Sequence, residues 1–152
     1  MGTVFEALLP SGRGVRYLPV TTDVYLEAHD ASVGKIGGSV QDAKTAAWNA
    51  RANLRQQIEL VARTLVEISA PIEPVFKQGD ESELDVDAML DGTKSWIKLN
   101  YVTLTTDGAQ FSLSSVLSSP SDLAAMVALV EQTMAPTREL KVFSGKVRSR
   151  SS

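Results

Sequence analysis

The densest chemistry in this chain of 152 residues is an acidic run, GDESELDVDAMLDG, which holds Asp80, Glu81, Glu83, Asp85, Asp87 and Asp91. Calcium is the obvious ligand for such a run. An EF-hand loop, however, needs oxygen ligands at alternating positions and a glycine at the sixth. Counted from Asp80, Leu84 and Asp85 stand fifth and sixth, so that template fails. Asp85-Val86-Asp87 matches the DxD pattern with which some sugar transferases hold a metal, but no nucleotide-binding motif accompanies it. The run is expected to form a solvated acidic face on a short helix, with Leu84, Ala88 and Met89 or Leu90 turned inward. His29 is the single histidine, and neither a Gly-x-Ser-x-Gly elbow nor a cysteine stands ready to pair with it, so it reads as a surface or capping residue. Ser11-Gly12-Arg13-Gly14 fits neither the P-loop nor the dinucleotide fingerprint and reads as a plain turn. Gly37 and Gly38 precede a helix start that could hold an anion, but the rest of a phosphate motif is absent. No catalytic residue, cofactor or metal is expected, and the chain reads as a non-enzyme.

The opposite charge gathers at the C-terminus. From residue 138 onward Arg138, Lys141, Lys146, Arg148 and Arg150 face only Glu139. Nucleic acid is one reading, yet no aromatic follows Phe143 to stack on a base. A frayed terminus, or an arm that orders on an acidic protein neighbour, is the plainer one. The acidic run and the basic tail could also pair between copies, which would favour head-to-tail self-assembly.

The whole chain carries a net charge of −3, with 43% hydrophobic and 22% charged residues and no cysteine. That balance is globular, gives no global case for nucleic-acid binding, and removes disulfides and thiolate chemistry together. The N-terminus lacks the basic region of a signal peptide, and no apolar run is long enough to span a membrane.

Around these residues an α+β domain is expected over 1–143, with a flexible basic tail over 144–152. Residues 3–9 and 15–20 read as two strands of a hairpin joined at Pro10 and Gly12 or Gly14. A short helix follows over 22–31, capped by Thr21 or Thr22, with Val24, Tyr25 and Ala28 on its apolar face. Residues 32–39, with three glycines, read as a loop.

Residues 42–69 contain neither Pro nor Gly and predict one helix roughly 40 Å long. Its Leu54, Ile58, Val61, Leu65 and Ile68 recur at steps of four and three, a heptad seam. Upstream, Ala43, Ala46, Ala47, Ala50 and Ala52 surround Trp48, leaving that half little of its own to bury. Trp48 either covers the hairpin or anchors a partner, with Ala47 and Arg51 beside it. Together with Lys146, Arg148 and Arg150 these form the candidate protein interface.

Pro71 and Pro74 end the helix. Residues 94–104 are readable as helix or strand, with Tyr-Val-Thr-Leu-Thr-Thr favouring a strand at the end. Residues 110–113 alternate as a strand end, and Ser119-Pro120 starts a C-terminal helix over about 120–134 with Leu123, Met126, Val127, Val130 and Met134 inward. Residues 139–143 could add an edge strand.

Leu9-Pro10-Ser11-Gly12-Arg13, followed by Val15-Arg16-Tyr17-Leu18-Pro19-Val20-Thr21 and Asp23, resembles the start of small tail and baseplate assembly proteins of tailed bacteriophages, among them the baseplate hub chaperone and tail assembly chaperone groups. In that family the hairpin leads into helices, and a segment comparable to 90–108 precedes a short strand and a helix. Leu90-Asp91-Gly92-Thr93 echoes the family's later acidic-basic signature only loosely, and the Ala-rich helix with Trp48 has no counterpart in it. The resemblance implies a role in virion assembly or tail structure. Its partners would be other tail or baseplate proteins or copies of itself, met in the host cytoplasm and then in the virion tail. It carries over no catalytic residue. An oligomerising adaptor unrelated to phage is the alternative, and a small enzyme or ligand-binding protein the third.

Overall fold

Residues 3–36, 46–134 and 148–151 are described by a computed structural model of the chain. The expected hairpin is present: strands β1 (Thr3–Leu8) and β2 (Arg13–Tyr17) pair antiparallel, with Phe5 opposite Tyr17 and Glu6 opposite Arg16. Its turn closes by two backbone hydrogen bonds of 2.8 Å, from Leu9 N–H to the Arg13 carbonyl and from Gly12 N–H to the Leu9 carbonyl. Gly12 sits at φ +91°, a left-handed conformation that a side chain would strain. Alternation then sends Ala7, Leu9, Val15 and Tyr17 to the core, while Glu6, Gly14 and Arg16 take the other face.

Helix α1 runs over Thr22–Ile36 and starts at Thr21, whose Oγ1 accepts from Val24 N–H at 3.3 Å. It continues through Gly34 where a loop was expected from residue 32, because its inner face still has a surface to bury. Ala28 and Ser32 are buried, and the helix packs along α2 (Ala46–Thr64).

The expected single helix over 42–69 is corrected here: α2 ends at Thr64 and β3 (Leu65–Pro71) follows directly, while residues 42–45 lie outside the described residues. Thr64 turns its hydroxyl back to the Leu60 carbonyl at 2.7 Å, and Leu65 onward bonds to β2 instead of continuing the helix. The seam was misleading for a definite reason. Leu65 and Ile68 both point inward at a three-residue spacing, as on a helix, because a bulge lies between the Tyr17↔Leu65 and Arg16↔Glu67 pairs. Without the bulge, two residues three apart on a strand would face opposite ways. At the other end of the seam, Leu54 is exposed.

After β3 come a two-stranded ribbon of β4 (Phe76–Lys77) and β5 (Asp80–Leu84), helix α3 (Val86–Gly92) and strand β6 (Ile97–Lys98). The acidic run is thus divided: its first half is an exposed strand and only its second half is helical, with the Asp85 side chain capping Ala88 N–H. Met89 and Leu90 are both buried, whereas Leu84 and Ala88 are exposed. In the stretch readable as helix or strand, residues 101–105 form the short helix α4 (Tyr101–Thr105), and the strand end expected over 110–113 is turn as far as Ser112 and then the short helix α5 (Leu113–Val116). At α4 the cap overrides β propensity, since Asn100 Oδ1 accepts from Thr103 N–H at 2.9 Å.

Helix α6 (Pro120–Gln132) begins as expected with Ser119 at its cap and Pro120 in its first turn. Met126 and Val130 are buried with Ala125 and Leu129, while Met134 lies beyond the helix and is exposed. Asp122, also buried, accepts from the backbone N–H of Ser11 at 3.0 Å and from its hydroxyl, tying the hairpin turn to α6.

Finally, β7 (Arg148–Ser151) adds to the free edge of β1, so these residues are strand where a flexible tail was expected. The expected edge strand at 139–143 lies outside the described residues. The sheet order is β6-β3-β2-β1-β7, antiparallel throughout. One face joins α2 and α6 in the apolar core, and α3 packs against β1.

Gly14 marks how closely the far face is covered. A Cβ there would stand 2.9 Å from Trp96 Cη2, 3.0 Å from Leu90 Cδ2 and 3.2 Å from Ser69 Oγ. Gly14→Ala is expected to lower stability by about 1–3 kcal/mol through overpacking, read as a reduced urea midpoint. An unchanged midpoint would mean that Trp96 swings clear at no cost.

Candidate functional site

On the face of the sheet turned away from the main core, one charged residue from each strand lines up in register. Lys98 of β6 stands opposite Glu67, Glu67 opposite Arg16, and Glu6 is flanked by Arg16 on β2 and Arg148 on β7. The signs alternate across all five strands. Cross-strand neighbours of opposite charge contribute roughly 0.2–1 kcal/mol each when half-exposed, and the centre of this ladder is buried. Glu6 is 2% exposed; one carboxylate oxygen accepts from Arg16 Nε at 2.7 Å and the other from Arg148 Nε at 2.8 Å.

Arg148 spends its remaining donors on α3, at 3.1 Å to Asp87 Oδ1 and 2.7 Å to Asp91 Oδ1. Arg16 reaches Glu67 at 3.3 Å and stacks its guanidinium 3.9 Å from the centre of the Trp96 ring. Burial pushes the Glu6 carboxyl up, but its hydrogen bonds to Arg16 and Arg148 outweigh that and hold it below the ordinary carboxylate range. Arg148 is shifted upward, chiefly by its hydrogen bond to Asp91, and stays cationic under all usual conditions.

Of the residues expected at an interface, the structure brings only Arg148 into this constellation. Arg150 lies on β7 opposite Val4. Ala47, Trp48 and Arg51 occupy the N-terminal part of α2, with their side chains outside the described set, and Lys146 lies outside the described residues altogether. The acidic run and the basic tail, for which pairing between copies was one reading, pair within the chain through Asp87, Asp91 and Arg148. Glu6, Arg16 and Glu67 were missed. Glu6 and Glu67 are each the single charge of a largely apolar strand, whereas Arg16 shares its strand with Arg13, and strand order cannot be read from that pattern.

A second feature is an open groove of about 510 Å³ between α2, α4 and the α5–α6 region, lined by Arg55, Ile58, Glu59, Leu104, Asp107 and Leu123. Its buried carboxylate is already engaged: Glu59 accepts from the Tyr101 hydroxyl at 2.9 Å and from Arg63 one turn along α2. His29 is exposed on α1, far in sequence from these groups. Among the described residues, no helix is long and apolar enough to cross a membrane. No protein-family model, curated protein or solved structure matches this chain.

Proposed function

We propose that this chain is a non-enzymatic component of a bacteriophage tail or baseplate, working through protein contacts in virion assembly or in the tail itself. One observation carries the contact part of the reading: α1 exposes large apolar side chains on a face beside its buried one. Leu26, His29 and Val33 follow one another at steps of three and four, about 100° round the helix from buried Ala28 and Ser32, two exposed apolar side chains flanking one imidazole. Leu26 is 52% exposed, Val33 38% and the adjacent Tyr25 42%. A helix that needs only its own domain carries one apolar stripe, and an exposed apolar face beside it suits a partner.

The virion setting is supported by the family likeness of the segment from Leu9 to Asp23. Its partners in this reading are other tail or baseplate proteins or further copies of the chain, in the host cytoplasm and then in the tail. No small-molecule substrate, cofactor or nucleic acid enters.

Leu26→Lys with Val33→Lys, and separately Trp48→Ala, are expected to abolish association in light scattering while shifting stability by no more than about 0.5 kcal/mol for the two exposed positions. Unchanged association in both would reject the contact surface. For the setting, an amber mutation in the gene should leave tails incomplete in electron micrographs, beside neighbouring genes for sheath, tube or tape-measure proteins. Normal particles would overturn it.

A further inference from the structure

The last strand is held in an unusual way. Arg148-Ser149-Arg150-Ser151 brings no apolar side chain to the sheet, so hydrophobic burial does not fix it in place. Among the described groups, it is held by backbone pairing with β1, from Thr3↔Ser151 to Glu6↔Arg148, and by the Arg148 guanidinium. That guanidinium enters a receptor of three carboxylates supplied by two elements: Glu6 on β1, and Asp87 and Asp91 on α3. The planar fork of arginine addresses all three from three separate nitrogens, whereas lysine would have to do so from one ammonium. Edge and receptor together therefore select an extended segment with an arginine at one register position.

We infer that the β1 edge is a strand-acceptor site, and that its second occupant is the C-terminal strand of another copy of this chain. Acceptor and donor are the same chemistry whether the donor arrives from its own chain or from a neighbour's. Fifteen residues, 133–147, separate α6 from β7, and a chain of that length can span up to about 50 Å when extended. Topology therefore permits the strand to reach a neighbour without altering its own domain. A tethered segment meets its own acceptor at an effective concentration in the millimolar range. Subunits packed at comparable density in an assembly would make exchange competitive, and each exchanged strand links one copy to the next without a new interface. This inference does not rest on the α1 stripe or on the phage setting.

Because the chain has no cysteine, introduced thiols report the exchange directly. Thr3→Cys with Ser151→Cys in one chain should close an internal disulfide, which checks the register. Full-length chains carrying Thr3→Cys alone and Ser151→Cys alone are then mixed at about 1 mM, where trans pairing competes with the tether, and oxidised. The expected product is a heterodimer formed well above either homodimer, seen by non-reducing gel and intact mass. Adding Arg148→Ala to the Ser151→Cys chain should lower the heterodimer about tenfold or more, the effect of removing one partner of a buried charge pair. Arg148→Lys should fall between. Heterodimer no more than twice as abundant as either homodimer, the ratio random pairing gives, or indifferent to Arg148→Ala, overturns the inference. So does a failure of the double-cysteine chain to close.

Discussion

Glu6→Ala is expected to destabilise the fold by about 3–5 kcal/mol, because it removes one partner of a buried ionic cluster and leaves the other charges behind. Arg16 and Arg148 both turn their Nε toward the Glu6 carboxylate, from opposite neighbouring strands. Without it, two guanidiniums would face each other across β1 with only Glu67, Asp87 and Asp91 at their outer ends. Glu6→Gln keeps the shape and an acceptor oxygen but loses the charge, so a smaller cost of about 1–3 kcal/mol is expected.

The pH dependence separates charge from packing. Since the folded-state carboxyl lies below the 4.5 of an ordinary glutamate, the folded protein binds fewer protons than the unfolded chain in that range. The contribution is therefore complete above about pH 4.5 and is lost as pH falls through the lowered folded-state value. Melting temperatures of the wild type and Glu6→Gln should converge on acidification. Asp80 is also held low, by its hydrogen bonds from Ser82, but it is present in both proteins and cancels. A constant gap between the two curves would show that the loss comes from packing and not from charge.

The parts of the fold that could be read in the sequence are those decided by neighbours in the chain. Pro10 and Gly12 specify the hairpin turn, and Ser119-Pro120 specifies the start of α6, because caps and turns are local chemistry. The parts that could not be read are decided by residues distant in sequence. Leu65 and Ile68 satisfy a helical seam and a bulged strand equally well, and only the presence of β2 alongside selects the strand. Tyr101 to Thr105 have strand-forming side chains, yet Asn100 and packing on α2 make them helical.

The charged ladder follows the same rule. Glu6 and Arg16 are ten residues apart and within reach of a hairpin reading, but Arg148 is 142 residues from Glu6. Nothing local in the repeat Arg-Ser-Arg-Ser announces that Arg148 meets Glu6, Asp87 and Asp91. The proposed contact stripe on α1 is a similar case. Its residues are visible in sequence, but a helix ending at residue 31 would have left Val33 in a loop.

Glu59 offers the second large effect and tests how the helical layer is bound together. It is 1% exposed on α2, accepts from the Tyr101 hydroxyl of α4, and pairs with Arg63, whose Nε lies 3.7 Å from Glu27 Oε2 on α1. The Arg63 guanidinium also sits 4.3 Å from the centre of the Tyr101 ring. Burial lowers the Arg63 pKa, but the hydrogen bonds and charges of Glu59 and Tyr101 together outweigh this and raise it; a guanidinium stays protonated in any case, so Arg63 is left charged when its partner is removed. Glu59→Ala should therefore destabilise by about 3–5 kcal/mol, as a lowered urea midpoint.

The decisive comparison is with Glu59→Leu combined with Arg63→Met. Replacing both ends by apolar groups of similar size strands neither half of the Glu59–Arg63 pair, so the double variant should be more stable than Glu59→Ala alone. Tyr101→Phe, added to the double variant, should then restore about 1 kcal/mol. If instead the double variant is the least stable of the set, the Glu59–Arg63 pair contributes net attraction beyond mutual neutralisation, and the groove it borders is maintained by that attraction.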